Sequence, residues 1–289
     1  MFCQYDLHSH STASDGTLAP AELIRRAQAA GVRVLALTDH DTTAGIAEAQ
    51  RAAHATGLRL VTGVEISVTW NAQTVHIVGL NVDLGNEALQ RGLEGLREFR
   101  EWRAREMGRR LGQAGIADAY AGALAHCCGV LVSRTHFARM LVERGIAEDE
   151  RKVFKRFLVP GKPGHVPGAW ASLEAAVDWI RGAGGQAVVA HPARYKMTRG
   201  KLRRLLGEFR ELGGEAMEVV SGSHSRDDYQ TMARHAAELG LLASAGSDFH
   251  APENPWIALG RLPMLPAGCR PVWAGWDDFL EGAKACAAG

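Results

Sequence analysis

Short β-rich apolar runs alternate with longer stretches in which apolar residues return at helical spacing, and this two-beat pattern organises most of the chain. Pro20 and Glu22 suit the first turn of a helix that continues through Ala30 and ends at Gly31. A strand then reaches Asp39, an Ala-rich helix runs from about Thr43 to Thr56, Gly57 breaks it, and the next strand leads to Glu65. The alternation resumes with a helix from Ser172 to Arg181 and a strand to His191, then a helix to Leu212 and a strand to Val220. A helix to Leu239 and a strand to Ala245 complete it. Repeated strand–helix units predict an α/β barrel of parallel strands, with its chemistry at the C-terminal mouth. Between about Arg97 and Gly164 the alternation stops. This segment is rich in Arg, Glu, Leu and Ala and is bounded by Pro160, Pro163 and Pro167, so residues 98–164 are expected to form a helical insertion covering the site. Residues 1–97 and 165–289 then form the barrel, and no internal repeat or low-complexity segment is evident.

The β-rich runs end in residues that bind metal. Asp6-Leu-His-Ser-His10 places His8 and His10 on one face of a strand, since side chains alternate, and Asp15 follows. One His-x-His is weak evidence, but VLALTDH ends at His40, LVTGVE at Glu65, AVVAHP holds His191, LASAGSDFH holds Asp248 and His250, and TVHIVGL holds His76. Imidazole and carboxylate without thiolate suit Mn, Fe or Zn in a hydrolytic site, whereas structural zinc usually recruits Cys. His8, His10, Asp15, His40, Glu65, His76, His191, Asp248 and His250 exceed the needs of one ion, so two or three ions sharing a bridge are expected. Glu65, near the middle of the set, is the expected bridge.

The segments DLHSHSTASDGT, LTDHDT, GVEIS, AHP and GSDFH together resemble the PHP superfamily, named for polymerase and histidinol phosphatase, over nearly the whole chain. The resemblance implies a distorted (β/α)7 TIM-like barrel and a metal-dependent phosphoesterase, with Mn the first expectation and Fe, Zn or Mg as alternatives. Within the superfamily, VSRTHFARMLVERG, KPGHVP and PWIALGR resemble the branch of nucleoside 3′,5′-bisphosphate phosphatases and 5′-to-3′ exoribonucleases. The implied reaction is release of a 3′-phosphate from a nucleoside bisphosphate, or trimming of short 5′-phosphorylated RNA, by water activated at the metals. A histidinol-phosphate-type or other small phosphomonoesterase would use the same metals with a different pocket, and the Arg-bearing insertion argues against it. A non-catalytic PHP module would be expected to have lost ligands. An amidohydrolase acting on C–N bonds would often use a carboxylated Lys, which no strand end supplies.

Phosphate esters hydrolyse slowly unless charge on the phosphoryl oxygens is neutralised and hydroxide is supplied near neutral pH; clustered divalent ions do both, and no covalent nucleophile is then needed. Asp15, Glu65, His191 and His224 are the expected catalytic set, with His224, in the loop after Glu218 and Val219, expected to reach substrate or protonate the leaving group. Ser133, Arg134, Thr135 and His136 open a helix whose free N–H groups and dipole would hold a substrate phosphate. Arg194, three residues after His191, would assist. Ser9, Ser11 and Ser14 are expected to hydrogen-bond the turn after the first strand, Asp41 to orient a ligand or cap a helix, and His54 and His235 to lie on helix surfaces.

Composition narrows the class. With 289 residues and 46% hydrophobic content the chain can bury a large core. A net charge of +1 gives no support for a general nucleic-acid coat or a membrane-surface role. The local runs Arg151–Lys162 and Arg194–Arg204 hold several cations and no acid, and become candidate phosphate ligands beside metals. The five cysteines, at 3, 127, 128, 269 and 286, lack Cys-x-x-Cys spacing and a secreted disulfide pattern, and are expected to be reduced. No signal-peptide pattern or membrane-length apolar run is present, so a cytoplasmic enzyme is expected, with a nucleotide or short oligonucleotide as partner and no obligate protein partner.

Overall fold

The computed structural model describes residues 2–127, 131–253 and 257–276. In chain order the first half holds β1 (Tyr5–Asp6), α1 (Pro20–Ala29), β2 (Val34–Leu37), α2 (Ile46–Thr56), β3 (Arg59–Trp70), β4 (Gln73–Leu80) and α3 (Glu87–Gln113). Then come α4 (Ala119–Ala125), α5 (Arg134–Glu143) and α6 (Glu150–Val153), the last running into a π-helical turn, Phe154–Leu158. The second half of the barrel follows as α7 (Leu173–Gly182), β5 (Gln186–Val189), α8 (Arg199–Glu211), β6 (Ala216–Ser221), α9 (Arg226–Leu239) and β7 (Leu242–Gly246). Local chemistry sets the ends: Pro20 opens α1, Ser172 caps α7 by accepting from Ala175 N–H, and Gly57 takes the left-handed conformation that closes α2.

The seven strands pair in sequence order, and the sheet curls until Leu7 N–H donates to Ala245 O at 2.8 Å and Ser9 bridges Phe249, giving a nearly closed barrel. The strands are not all parallel, as the alternation had led us to expect. β4 runs antiparallel to both β3 and β5. Trp70 pairs with Gln73, so only Asn71 and Ala72 separate the two strands, both at positive φ, and a two-residue turn can only reverse the chain.

Alternation sorts the strand residues between two cores. Val34 and Ala36 of β2 join Val61, Val78 and Val188 in one cluster, while Leu35 and Leu37 pack with Leu23 and Ile24 of α1. The insertion has a separate cluster that includes Met107, Leu111, Phe137, Leu141 and Val153, and among its described residues no strand occurs. The expected boundary at 97/98 falls inside α3: Leu89, Leu93 and Leu96 pack on the barrel, and Ala104, Met107 and Leu111 on the insertion.

His54 is exposed, but His235 is not a surface residue. It is 2% exposed, because Met232, His235 and Ala236 share the stripe that turns α9 inward. Cys3 and Cys269 are free thiols; Cys128, Cys286 and the Pro255–Trp256 part of PWIALGR lie outside the described residues. No described helix is long and apolar enough to cross a membrane.

Candidate metal centre

The loops after the parallel strands, together with Glu65 and His76 from within β3 and β4, bring all nine expected donors into one nest, with Glu65 at its middle. Glu65 Oε2 lies 3.2 Å from His8 Nε2, 3.2 Å from His10 Nε2 and 2.9 Å from His40 Nδ1. Its other oxygen, Oε1, lies 2.7 Å from His76 Nδ1 and 3.1 Å from His191 Nε2. Asp248 Oδ1 is 3.5 Å from His8 Nε2 and 3.3 Å from His10 Nε2, and Asp15 Oδ1 is 3.2 Å from His250 Nε2. Three sets of donor atoms converge: His10, Asp15, His40 and His250; His8, His10, Glu65 and Asp248; and His40, Glu65 and His76.

These residues fit divalent cations on their own geometry. Donor separations of this size are the edges of a coordination shell with metal–donor distances of roughly 2.0–2.2 Å. Glu65 Oε2, Asp15 Oδ1 and His40 Nδ1 are buried without a hydrogen bond among the described residues, a costly arrangement unless a cation takes their lone pairs. The electrostatics agree. Burial alone would raise Glu65, but His76, His40 and His8 outweigh it and hold the carboxyl well below the usual range. Burial opposes a charged His10, yet Asp248 and Glu65 lift it to about 10, so the nest demands positive charge. His191 and Asp248 adopt φ of +30° and +58°, a strained backbone for side-chain-bearing residues and one held where donors must be aimed.

A second ring of buried acids fixes the donors; of these only Asp41 was singled out from sequence, and Glu218 and Asp39 were not. Glu218 Oε1 lies 2.6 Å from His8 Nδ1, leaving Nε2 to face the centre, and Glu218 Oε2 accepts the N–H of His191 at 2.7 Å. Its one sequence signal is a lone acid in the fully buried β6, where Ser221 is the one other polar residue. Asp39 accepts from Ser11 N–H, Ser11 Oγ and Ser14 Oγ, which shapes the turn carrying His10 and Asp15, and Ser9 Oγ donates to Ala36 O. Asp41 caps no helix: it accepts Ser67 N–H at 2.7 Å and Arg100 Nε at 2.6 Å.

The cavity that holds the donors is also lined by Arg100, Arg103, Arg134 and Arg194 and by Trp170 and Phe154. Arg103 and Arg134 have no carboxylate partner among the described residues; Arg103 Nε donates to Val166 O, and the Arg134 guanidinium sits 5.8 Å from the Phe154 ring centre. Burial, then repulsion from Arg134 and Arg100, pulls Arg103 down to about 9. Crowded cations of this kind await an anion. Neither Arg100 nor Arg103 was singled out from sequence.

Four expectations change. Ser133 and Thr135 line the cavity, but their hydroxyls donate to Asp15 Oδ2 at 3.1 Å each and so hold a donor. His136 is 1% exposed and turned away, its Nδ1 accepting the Ser133 N–H in a capping box. Arg194 bonds Asp248 Oδ2 at 2.9 Å. His224 does not line the cavity: Nε2 accepts the Ala193 N–H and Nδ1 faces Val219 O, so both ring nitrogens are engaged with backbone and neither is free to serve as an acid.

A barrel of this topology with histidine and carboxylate donors gathered at its mouth defines a metal-dependent phosphoesterase of the PHP type. The PHP domain model matches residues 6–142, the stretch bearing the donors from His8 to His76, and the chain belongs to that family. It is 53% identical to 3′,5′-nucleoside bisphosphate phosphatase of Chromobacterium violaceum, over 93% of this chain and 94% of that protein. It is 47% identical to a 5′-3′ exoribonuclease of Haemophilus influenzae, over 93% of this chain and 98% of the relative. A solved Chromobacterium violaceum structure, described as an amidohydrolase with bound sulfate and no metal, aligns with a TM-score of 0.92 and 51% identity over 96% of both chains. The protein is a phosphoric-ester hydrolase.

Proposed function

We propose that the protein releases the 3′-phosphate of nucleoside 3′,5′-bisphosphates and trims short 5′-phosphorylated RNA from its 5′ end, using manganese in the cytoplasm without an obligate protein partner. One observation carries this reading: a single cavity is lined both by metal donors and by Arg103 and Arg134, which have no acid partner among the described residues. A substrate with two phosphates meets both demands. The activities named for the relatives, and the sulfate in the Chromobacterium structure, support the same choice.

Divalent ions bound at His8, His10, Asp15, His40, Glu65, His76, His191, Asp248 and His250 would supply a water acidic enough to attack at neutral pH and would offset phosphoryl charge. The chain's own residues set the rest. Glu65, with each oxygen facing a different group of histidines, would hold an ion on either side. Arg103 and Arg134 hold the phosphate that does not react, since charge-assisted contacts from a guanidinium fix its position. Arg194 steadies Asp248.

The test measures turnover by the metal-reconstituted protein, as phosphate released from a nucleoside 3′,5′-bisphosphate, as nucleoside monophosphate released from a 5′-phosphorylated dinucleotide, and as phosphate released from histidinol phosphate and an aryl monophosphate. The first two are expected to be the preferred substrates, chelation to abolish turnover and Mn to restore it. Arg134→Ala should cost roughly ten- to a few hundredfold on the bisphosphate, as one lost charged hydrogen bond implies, and far less on the aryl ester. Preference for histidinol phosphate would replace this reading with that of a small-molecule phosphomonoesterase.

A further inference from the structure

The cavity wall continues outward as a row of rings. Trp170, at the cavity, meets Phe99 edge-on, with ring centres 4.8 Å apart and planes at 88°. Phe99 in turn lies nearly parallel to Trp102, at 5.5 Å and 28°. Phe99 and Trp102 are three residues apart on α3 and therefore share a helix face. Trp102 is 55% exposed. Exposed apolar residues scattered singly need no explanation, but this one ends a continuous aromatic track that begins beside the metal donors.

Charge fits the track to a nucleic acid. Arg100 and Arg103, on the same helix, place their guanidiniums 5.0 and 5.4 Å from the centre of the Trp170 ring, where the track enters the cavity. Cations at the inner end and a row of contiguous rings running outward match the two elements by which proteins hold single-stranded nucleic acid, phosphates on the former and bases on the latter. The ring-to-ring steps of 4.8 and 5.5 Å each exceed the roughly 3.4 Å rise of one nucleotide in a stacked strand, so the row is long enough for more than one base.

We infer that Trp170, Phe99 and Trp102 form the platform on which the bases downstream of the cavity-bound nucleotide stack when the ligand is a 5′-phosphorylated single-stranded oligoribonucleotide. This rests on the function proposed above and adds a binding site to it. Because every base has a π face, such a platform accepts any sequence, as a trimming enzyme requires.

The test uses the full-length, metal-loaded protein, a 5′-phosphorylated tetranucleotide with cleavage-resistant phosphorothioate links followed by fluorescence anisotropy, and a nucleoside bisphosphate as competitor. Trp102→Ala should weaken tetranucleotide binding roughly fivefold to a hundredfold, Trp102→Phe should recover most of it, and the ratio of tetranucleotide to bisphosphate affinity should fall by the same factor. Phe2→Ala, which removes an equally exposed aromatic remote from the track, should leave the ratio alone. Unchanged tetranucleotide affinity in Trp102→Ala, equal losses for both ligands, or no binding of the tetranucleotide by the parent protein would overturn the platform. So would a Trp102-dependent dimer with unaltered binding, which would assign the ring to a second copy of the chain. Tetranucleotide binding that needs Trp102 in a protein inert toward bisphosphates would keep the platform and reject the activity; bisphosphate turnover with Trp102-independent binding would do the reverse.

Discussion

Glu218 reaches His8 across the barrel end, Oε1 to Nδ1 at 2.6 Å, while its second oxygen takes the backbone N–H of His191 at 2.7 Å. One buried carboxylate thus sets the orientation of one donor and the main chain of another. Glu218→Gln keeps the volume and removes the charge, so metal affinity should fall roughly ten- to a hundredfold, as for other groups that orient metal ligands. Isothermal titration of metal into stripped protein reads this directly, and an unaltered affinity would reduce Glu218 to packing.

Asp15 is tied to the insertion rather than to the barrel alone, through the hydroxyls of Ser133 and Thr135 and through Arg139, which donates to its carbonyl oxygen. Thr135→Val removes one of these bonds while leaving the Ser133 cap of α5 in place. Native mass spectrometry should then show reduced occupancy, the ion bound by His10, Asp15, His40 and His250 being the first lost. Full occupancy would mean that Asp15 needs no help.

His136 predicts a pH effect on stability. Burial, opposed by the pull of Asp15 and reinforced by a smaller repulsion from Arg139, lowers its pKa from about 6.5 to about 4. Below pH 6.5 the unfolded chain takes up a proton that the folded ring refuses, so stability should decline as pH falls from 6.5 toward 4. His136→Gln, which retains a side chain able to complete the capping box, should flatten that part of the profile in urea melts at stepped pH. An identical slope in both proteins would exclude His136 as the cause.

Ala72 carries a φ of +58° in the turn between β3 and β4, a conformation that costs an L-residue roughly 1 kcal/mol and glycine almost nothing. Ala72→Gly should therefore raise stability by up to about 1 kcal/mol, partly offset by a freer unfolded chain. Thermal melting with unchanged or lower stability would show that the turn is better suited to alanine than its backbone suggests.

The donors were legible because most of them end or closely follow an apolar run and His76 lies within one, and a strand's period of two places His8 and His10 together without knowledge of the fold. The direction of β4 was not legible. An alternating pattern reads the same forwards and backwards, and only the length of the Asn71–Ala72 connection decides it. Arg100 and Arg103 are hidden for a different reason: α3 is studded with arginines paired to Glu87, Glu101 and Glu106, and only tertiary packing reveals which ones face the cavity. His136 and His224 were misassigned because their partners are backbone atoms, which leave no trace in side-chain patterns. The burial of His235 could have been read from its place between Met232 and Ala236.

The 27 residues of α3 give a rod about 40 Å long, bolted at one end to the barrel and at the other to the insertion. Such a beam resists bending at its middle, where a pivot would have to break successive main-chain hydrogen bonds. A tie of this kind would hold the insertion as a fixed canopy in place of a flap. Traffic in and out would then depend on loops and side chains moving within nanoseconds to microseconds, and turnover would be released from the slower rhythm of domains that swing open and shut.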